Sequence, residues 1–446
     1  MNCYKKKRLY IDTLGCQMNV YDSDKIRQSF ENCGYEIADS VQDADVIILN
    51  TCSIREKACQ KAFSFLGRVK KLKINKQVTI GVCGCLAEQE GANIIERMPY
   101  VDFVAGVNAI YRMPEIVKKA EDKKCRPVDT GFDSPAGEPL CQTSKSRVDI
   151  SEFVTIMRGC DNFCSYCVVP HVRGREISRK PKNIINEIKM LVANGACEIT
   201  LLGQNVNSYG KKEGSVTFER LIELVNEIEG LKRIRFTTSH PKDLGDNLIE
   251  AFKKFEKLCP HIHLPVQSGS DAVLKRMNRK YTIKDYIEKI EKLRKTVPNI
   301  AVTSDLIVGF CQETQEDFNM TLNLIKHIQF DGIFAFAYSP RPNTLAQKFK
   351  DTASEQEKKE RLYSLFNLQE YYTKKKNAAF VGTEQKTLAE GLSKRGLLKN
   401  EKKEWTGRTD TNKIVNFITS KDDNPTGKIV NVKIEKTFSH SLWGIL

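Results

Sequence analysis

Short apolar runs alternate with amphipathic helical stretches through two long blocks of this 446-residue chain, and that alternation restricts the fold more than any other feature. In residues 1–120 the apolar runs are 9–14, 46–50, 78–82 and 102–105. Helical patterns lie between them, for example at 23–33, 55–73 and 87–97. Strand–helix alternation of this kind demands a parallel sheet with helices on both faces. Residues 121–147 break the pattern with Pro127, Gly131, Pro135, Gly137 and Pro139 among polar residues, which predicts an inter-domain linker.

From 148 to 378 the alternation resumes, with strands predicted at 153–157, 198–202, 233–237, 262–266, 302–308 and 333–338. Six strand–helix units predict an incomplete (β/α)6 barrel, whose strand C-terminal ends carry the site. Thr314 followed by Asp317 marks a helix start running to Ile328. Residues 351–380 read as one charged helix with Leu362, Leu365, Phe366 and Leu368 on its apolar side. The tail, 379–446, changes character: five short β-rich runs at 387–392, 405–408, 414–418, 428–434 and 441–446 predict a small barrel of the kind that binds oligonucleotides. Lys394, Arg395, Lys399, Lys402, Lys403, Arg408 and Lys413 surround Trp405 there, a composition suited to phosphate contact plus base stacking. The whole is an α/β protein with a β-barrel appended.

The cysteines carry the chemistry. Cys160-x-x-x-Cys164-x-x-Cys167 follows directly on the strand at 153–157. A zinc knuckle would need paired C-x-x-C units and a fourth ligand close by. Three close thiolates instead suit an iron–sulfur cluster in which one iron lacks a protein ligand, an open position able to bind and activate a small molecule. Further thiols fall at three strand ends of the first block: Cys16, Cys52, and either Cys83 or Cys85. Ligands of open parallel sheets bind outside the strand C-termini, so a second three-thiol site is possible there. Buried, inert cysteines are the competing reading. Cys85 lies past Gly84 and is better placed than Cys83, which is expected to pack. Cys59 is also expected to pack, and Cys3, Cys33, Cys125, Cys141, Cys197 and Cys259 show no suggestive spacing. His240, His261 and His263 are possible ligands or proton carriers, although a lone histidine is more often structural.

Charge and compartment narrow the partners. A net charge of +15 and a pI near 9.0 favour an anionic partner, most simply nucleic acid. Fifteen cysteines, an odd number spread through a long chain, point to reduced thiols and a cytoplasmic protein. Polar residues follow the basic first ten where the apolar core of a leader should stand, and no run of eighteen apolar residues exists, so neither a signal peptide nor a membrane span is expected. A monomer is the expectation.

The C-x-x-x-C-x-x-C spacing resembles the signature of the radical S-adenosylmethionine enzymes. The wider match is to the tRNA methylthiotransferases: Gly15-Cys16-Gln17-Met18-Asn19, Asn50-Thr51-Cys52-Ser53-Ile54-Arg55, Gly84-Cys85, Arg158-Gly159-Cys160 through Arg173-Gly174-Arg175, the run from Leu201 to Gly210, and His263-Leu264-Pro265-Val266-Gln267-Ser268-Gly269-Ser270. It covers nearly the whole chain, including a tail similar to the family's RNA-binding TRAM barrel. Gln204-Asn205-Val206-Asn207-Ser208-Tyr209 aligns it with the members that act on N6-dimethylallyladenosine at tRNA position 37. Relatives that act on threonylcarbamoyladenosine, or on an aspartate of a ribosomal protein, differ there and are the alternative.

The resemblance implies two [4Fe–4S] clusters. Cys160, Cys164 and Cys167 would hold the one that chelates S-adenosylmethionine; Cys16, Cys52 and Cys85 would hold an auxiliary one. It also implies a 5′-deoxyadenosyl radical that takes the adenine C2 hydrogen, sulfur from the auxiliary cluster, and a methyl from a second S-adenosylmethionine. The sulfur source and the electron donor are not implied. Two departures stand out. Gly309-Phe310-Cys311-Gln312-Glu313-Thr314 replaces the family's Gly-Phe-Pro-Gly-Glu-Thr, which alters the turn and adds a thiol. Pro342-Asn343-Thr344 replaces Pro-Gly-Thr, and Asn is the next best residue for a left-handed backbone.

Overall fold

The computed structural model describes residues 6–53, 56–122, 125–132, 148–214, 216–397, 402–419 and 423–446. The chain divides into two compact bodies. One comprises Met1–Arg147, Met157–Asp161 and Val168–Arg179; the other comprises Val148–Ile156, Asn162–Cys167 and Lys180–Leu446.

In the first body β1 (Arg8–Leu14), β2 (Glu36–Ile37), β3 (Val46–Thr51), β4 (Thr79–Gly84), β5 (Phe103–Ala105) and β6 (Val128–Asp129) form a parallel sheet in the order β2-β1-β3-β4-β5-β6. Every residue of β3 is buried, as its unbroken Val-Ile-Ile-Leu run requires of a central strand covered on both faces. The helix expected from 23 starts earlier, at Gln17, because Cys16 serves as its N-cap. That expected over 87–97 is two, Cys85–Glu90 and Asn93–Arg97, separated where Gly91 turns left-handed at φ +51°. β6 corrects the expected linker: Val128 and Asp129 pair with Val104 and Ala105 and extend the sheet. Two residues are too few to leave a periodic trace. Residues 133–147 lie outside the described residues. A short antiparallel pair, β8 (Met157–Arg158) with β9 (Ile177–Ser178), completes this body.

The second body holds six parallel strands in two sheets: β7 (Ser151–Thr155), β10 (Glu198–Leu202) and β11 (Arg233–Phe236), ordered β11-β10-β7, and β12 (His261–His263), β13 (Ala301–Val308) and β14 (Gly332–Ala337) in sequence order. These are the six expected strands, although the first stops at Thr155 and the fourth at His263. Thr314 caps the helix Gln315–Ile328 through a capping box with Asp317. The helix Glu355–Ala378 departs from its expected face: Leu365 is buried, but Phe366 is 45% exposed. The buried line is Lys358, Arg361, Leu365 and Gln369. Polar groups are tolerated there because each has a partner: Lys358 with Asp351 at 2.7 Å, Arg361 with Glu313 at 2.8 Å, and Gln369 with the Phe330 carbonyl at 2.9 Å.

The tail strands β15 (Glu384–Leu397), β16 (Lys403–Thr409), β17 (Ile414–Thr419), β18 (Ile429–Thr437) and β19 (Leu442–Ile445) close into a barrel in the order β15-β16-β17-β19-β18. Closure leaves no free edge. Two arginines of β11 fasten it. Arg233 donates to the Arg408 and Lys386 carbonyls at 2.6 and 3.0 Å, and Arg235 to the Asp410 and Thr409 carbonyls at 2.9 and 2.8 Å. Trp405 does not face solvent as the stacking expectation required. It is 5% exposed within the barrel core, and its indole N–H donates to Thr419 Oγ1 at 2.9 Å. A residue alternating inward on a barrel strand fills the interior, whatever cations flank it in sequence. Lys394, Arg395 and Lys402 are exposed, whereas Arg408 pairs with Glu390 and Lys413 with Asp331; Lys399 lies outside the described residues. Among the described residues no helix is long and apolar enough to cross a membrane.

Candidate cluster-binding sites

β1, β3 and β4 are neighbours in the sheet, and each delivers one cysteine just past its C-terminal end. Cys16 caps the helix after β1, Cys52 follows β3, and Cys85 opens the helix after β4. The Cys16 and Cys52 side chains hydrogen-bond to each other, and the charge on Cys85 is felt from Cys16. Two asparagines lock the loops. Asn19 Nδ2 donates to Asn50 Oδ1 at 2.9 Å and to the Thr51 carbonyl at 3.2 Å, while Asn50 Nδ2 donates to the Asn19 carbonyl and Ser23 Oγ, both at 2.9 Å. Asn19 Oδ1 also accepts from the Cys16 thiol at 3.3 Å. Gly84 turns at φ +88°, and a Cβ there would strike the Asn50 amide and the Thr51 carbonyl. Only glycine makes that strand-to-helix turn at so close an approach.

Cys83 goes the other way. It is wholly buried in the core with Phe103, Ile110 and Met113, and burial drives its thiol well above the ordinary range. The Cys16 thiol is lowered to about 6, chiefly by the Cys52 hydrogen bond, with Arg173 assisting against burial. Burial pushes Cys85 up, and Arg173 pulls it back by charge and a hydrogen bond. Among the described residues no three His, Cys, Asp or Glu side chains close around a point as a single metal ion requires. The donor set at these adjacent strand ends is three thiols, a chemistry that fits an iron–sulfur cluster.

Of the second trio, Cys160 belongs to the first body, where its N–H donates to the Gly174 carbonyl at 3.2 Å. Gly159 before it sits at φ +72°, with the Arg175 carbonyl where a Cβ would be. Cys164 and Cys167 belong to the second body, joined by a turn in which Cys167 N–H donates to the Cys164 carbonyl at 3.0 Å. Ser165 ties that turn to the end of the helix Asp271–Arg276 through the Arg276 and Met277 carbonyls, at 2.8 and 3.0 Å. Arg279 Nη1 donates to the Cys164 sulfur at 3.4 Å, and its Nη2 is anchored on the Pro265 carbonyl at 2.7 Å.

The C-terminal ends of β10 and β11 present buried polar atoms that find no partner among the described residues: Gln204 Oε1, both amide atoms of Asn207, Ser239 Oγ and His240 Nε2. Burial lowers His240 to about 2, so its ring is neutral. Its Nδ1 accepts from the Lys242 N–H at 3.2 Å, which leaves the proton, and a donor, on the orphaned Nε2. Buried polar atoms left unpaired are costly, so donors and acceptors gathered at a strand end fit a polar ligand such as S-adenosylmethionine. The other two histidines hold neighbours. His261 is half-buried against Thr303, with desolvation holding its ring neutral, and His263 Nε2 lies 3.3 Å from Asp305.

Cys311 is no ligand candidate. It packs with Val273, Phe310 and Tyr338, and its thiol donates to the Ala346 carbonyl at 3.7 Å. Gln312 nevertheless takes φ +60°, an angle that favours glycine, and Asn343 is left-handed at φ +65°, as expected. Arg173, Arg279, Asn19 and Asn50 escaped the sequence reading as functional groups. Three of them lie within the quoted motifs, yet nothing in their spacing announces a partner as remote as Asp22 is from Arg173.

Three family models match the chain: Uncharacterized protein family UPF0004 over residues 8–106, the Radical SAM superfamily over 154–325, and the TRAM domain over 378–446. Among curated relatives, the tRNA-2-methylthio-N(6)-dimethylallyladenosine synthase of Geobacter sulfurreducens is 48% identical over 99% of this chain and 97% of its own. The protein of that name from Clostridium tetani is 47% identical, covering 99% and 96%. Among solved structures, the radical S-adenosylmethionine methyltransferase TsrM of Kitasatospora setae, with cobalamin and a [4Fe–4S] cluster bound, superposes with a TM-score of 0.55 at 11% identity, over 77% of this chain and 74% of its own. At that identity the likeness is one of fold.

Proposed function

Since the chain belongs to the radical S-adenosylmethionine methylthiotransferases, we propose that it attaches a methylthio group to C2 of N6-dimethylallyladenosine beside the anticodon of a tRNA. The carrying observation is likeness along 99% of the chain to relatives named for that product. The radical chemistry of the family requires a [4Fe–4S] cluster and S-adenosylmethionine. We assign Cys160, Cys164 and Cys167 to that cluster and Cys16, Cys52 and Cys85 to a second one. Residues 1–120 would carry the auxiliary cluster, 148–378 the radical chemistry and 379–446 the RNA, in a monomeric cytoplasmic enzyme.

When bound, the clusters and S-adenosylmethionine supply radical and sulfur chemistry at a C–H bond too weakly acidic for any side-chain base. The protein's own groups do the rest. Arg279 directs a fixed N–H at Cys164, and Asn19 and Asn50 set the loops of the other trio. Gln204, Asn207, Ser239 and His240 offer S-adenosylmethionine a prearranged set of donors and acceptors. Lys394, Arg395 and Lys402 offer phosphate contacts, while buried Trp405 contributes to the barrel core instead of to stacking.

The test is anaerobic reconstitution with iron and sulfide, followed by reductant, S-adenosylmethionine and tRNA carrying dimethylallyladenosine. Formation of 5′-deoxyadenosine together with the 2-methylthio nucleoside is expected. Methylthiolation of threonylcarbamoyladenosine or of a ribosomal protein instead would overturn the target.

A further inference from the structure

Within the first body a cation stands beside the strand-end cysteines. Arg173 is 7% exposed and its Nη2 donates to Asp22 Oδ2 at 2.9 Å. Its guanidinium also hydrogen-bonds Cys85 and acts on Cys16. A buried guanidinium is costly unless its charge is matched and its donors are used. Asp22 matches one charge, and it too is buried, on the helix that Cys16 caps. Among the described residues, Arg173 is the cation that acts most on Cys16 and Cys85. The rest of the Cys85 surroundings is apolar: Val107, Val168 and Val172. Three thiolates gathered there would put excess negative charge into a poorly solvated place.

We propose that Arg173 is a positioning residue for the cluster held by Cys16, Cys52 and Cys85: a fixed positive charge, aimed by Asp22, that raises the cluster's reduction potential. This rests on the assignment of those three cysteines as ligands. A cluster accepts an electron more readily beside a cation, and charge and hydrogen bonds at the sulfurs are recognised controls of its potential. A purely structural Arg173–Asp22 pair would fasten residues 168–179 into the first body without a signed effect on potential.

The signs separate the two roles. In the full chain carrying Cys160→Ala, Cys164→Ala and Cys167→Ala, one cluster should remain, and its midpoint can be read by EPR-monitored redox titration. Arg173→Met should lower the reduction equilibrium constant at least tenfold, about 59 mV for a one-electron couple. Arg173→Lys should restore most of that shift, and Asp22→Asn, which removes a negative charge and leaves the cation, should move the potential upward. A loaded Arg173→Met protein with unchanged potential overturns the proposal, as does a downward shift in Asp22→Asn. Should Arg173→Met fail to fold, Asp22→Asn and Arg173→Lys still decide: no upward shift in the first overturns it. A background protein holding no cluster overturns the ligand assignment, and the proposal with it.

Discussion

The two cysteine trios that we propose as cluster ligands are arranged by opposite routes. Cys160, Cys164 and Cys167 are neighbours in sequence, and local backbone shapes their loop: a left-handed Gly159, and a turn that closes from Cys167 to Cys164. Cys16, Cys52 and Cys85 are far apart in sequence, and three adjacent parallel strands bring them to one edge. The first kind of site survives as a word in the sequence. The second exists only where the sheet is folded and the Asn19–Asn50 bridge is closed. Each has an arginine on a cysteine sulfur, Arg279 on Cys164 and Arg173 on Cys85, but among the described residues only Arg173 of the two is paired with a buried carboxylate.

Separating the trios by substitution produces the largest effect. Replacing Cys160, Cys164 and Cys167 with alanine should abolish 5′-deoxyadenosine formation while roughly half the iron stays. Replacing Cys16, Cys52 and Cys85 should also remove roughly half the iron, yet leave 5′-deoxyadenosine formation intact and end methylthiolation. Iron and sulfide assays beside nucleoside chromatography measure both. Full iron in the second variant would break the comparison, for the strand-end thiols would then be core residues.

The same contrast explains what the sequence disclosed. Strand positions were legible because parallel strands buried on both faces are near-continuous apolar runs, as at 46–49 of β3. Cap chemistry was legible at Thr314, where the reciprocal bonds with Asp317 are local. Non-local partners were not. Trp405 reads as a surface aromatic among lysines until the barrel closes and its indole meets Thr419. The inward face of Glu355–Ala378 was misplaced because the partners that let Lys358 and Arg361 be buried, Asp351 and Glu313, are supplied by other segments. The orphaned Asn207 amide and the Arg173–Asp22 pair become visible only once distant segments have met.

A smaller effect sharpens the dependence of the strand-end site on its scaffold. Asn50→Ala removes the two hydrogen bonds that Asn50 donates and one of the two that the buried Asn19 Nδ2 donates, leaving the one to the Thr51 carbonyl. The expected loss is about 2–3 kcal/mol, read from a denaturant midpoint. Iron should be lost selectively from this trio, while reconstituted protein still cleaves S-adenosylmethionine. Equal loss from both trios would show that Asn50 supports general folding instead of one site.

The smallest effect concerns thiol reactivity before any cluster is inserted. Cys16 is exposed, and its thiol is lowered from 9.0 to about 6 by the Cys52 hydrogen bond first, with Arg173 also favouring the thiolate. Above about pH 6 it is therefore mainly thiolate, and alkylation should slow as pH falls through that value. Cys83, buried with its thiol pushed up, should stay unlabelled until the protein unfolds. Peptide mapping of iodoacetamide-treated apoprotein across pH 5–9 distinguishes the two. Because thiolate is the form that binds iron, a poised Cys16 makes it the expected first ligand. A labelling midpoint near the ordinary thiol value would instead mean that the Cys16–Cys52 hydrogen bond does not hold in the apoprotein.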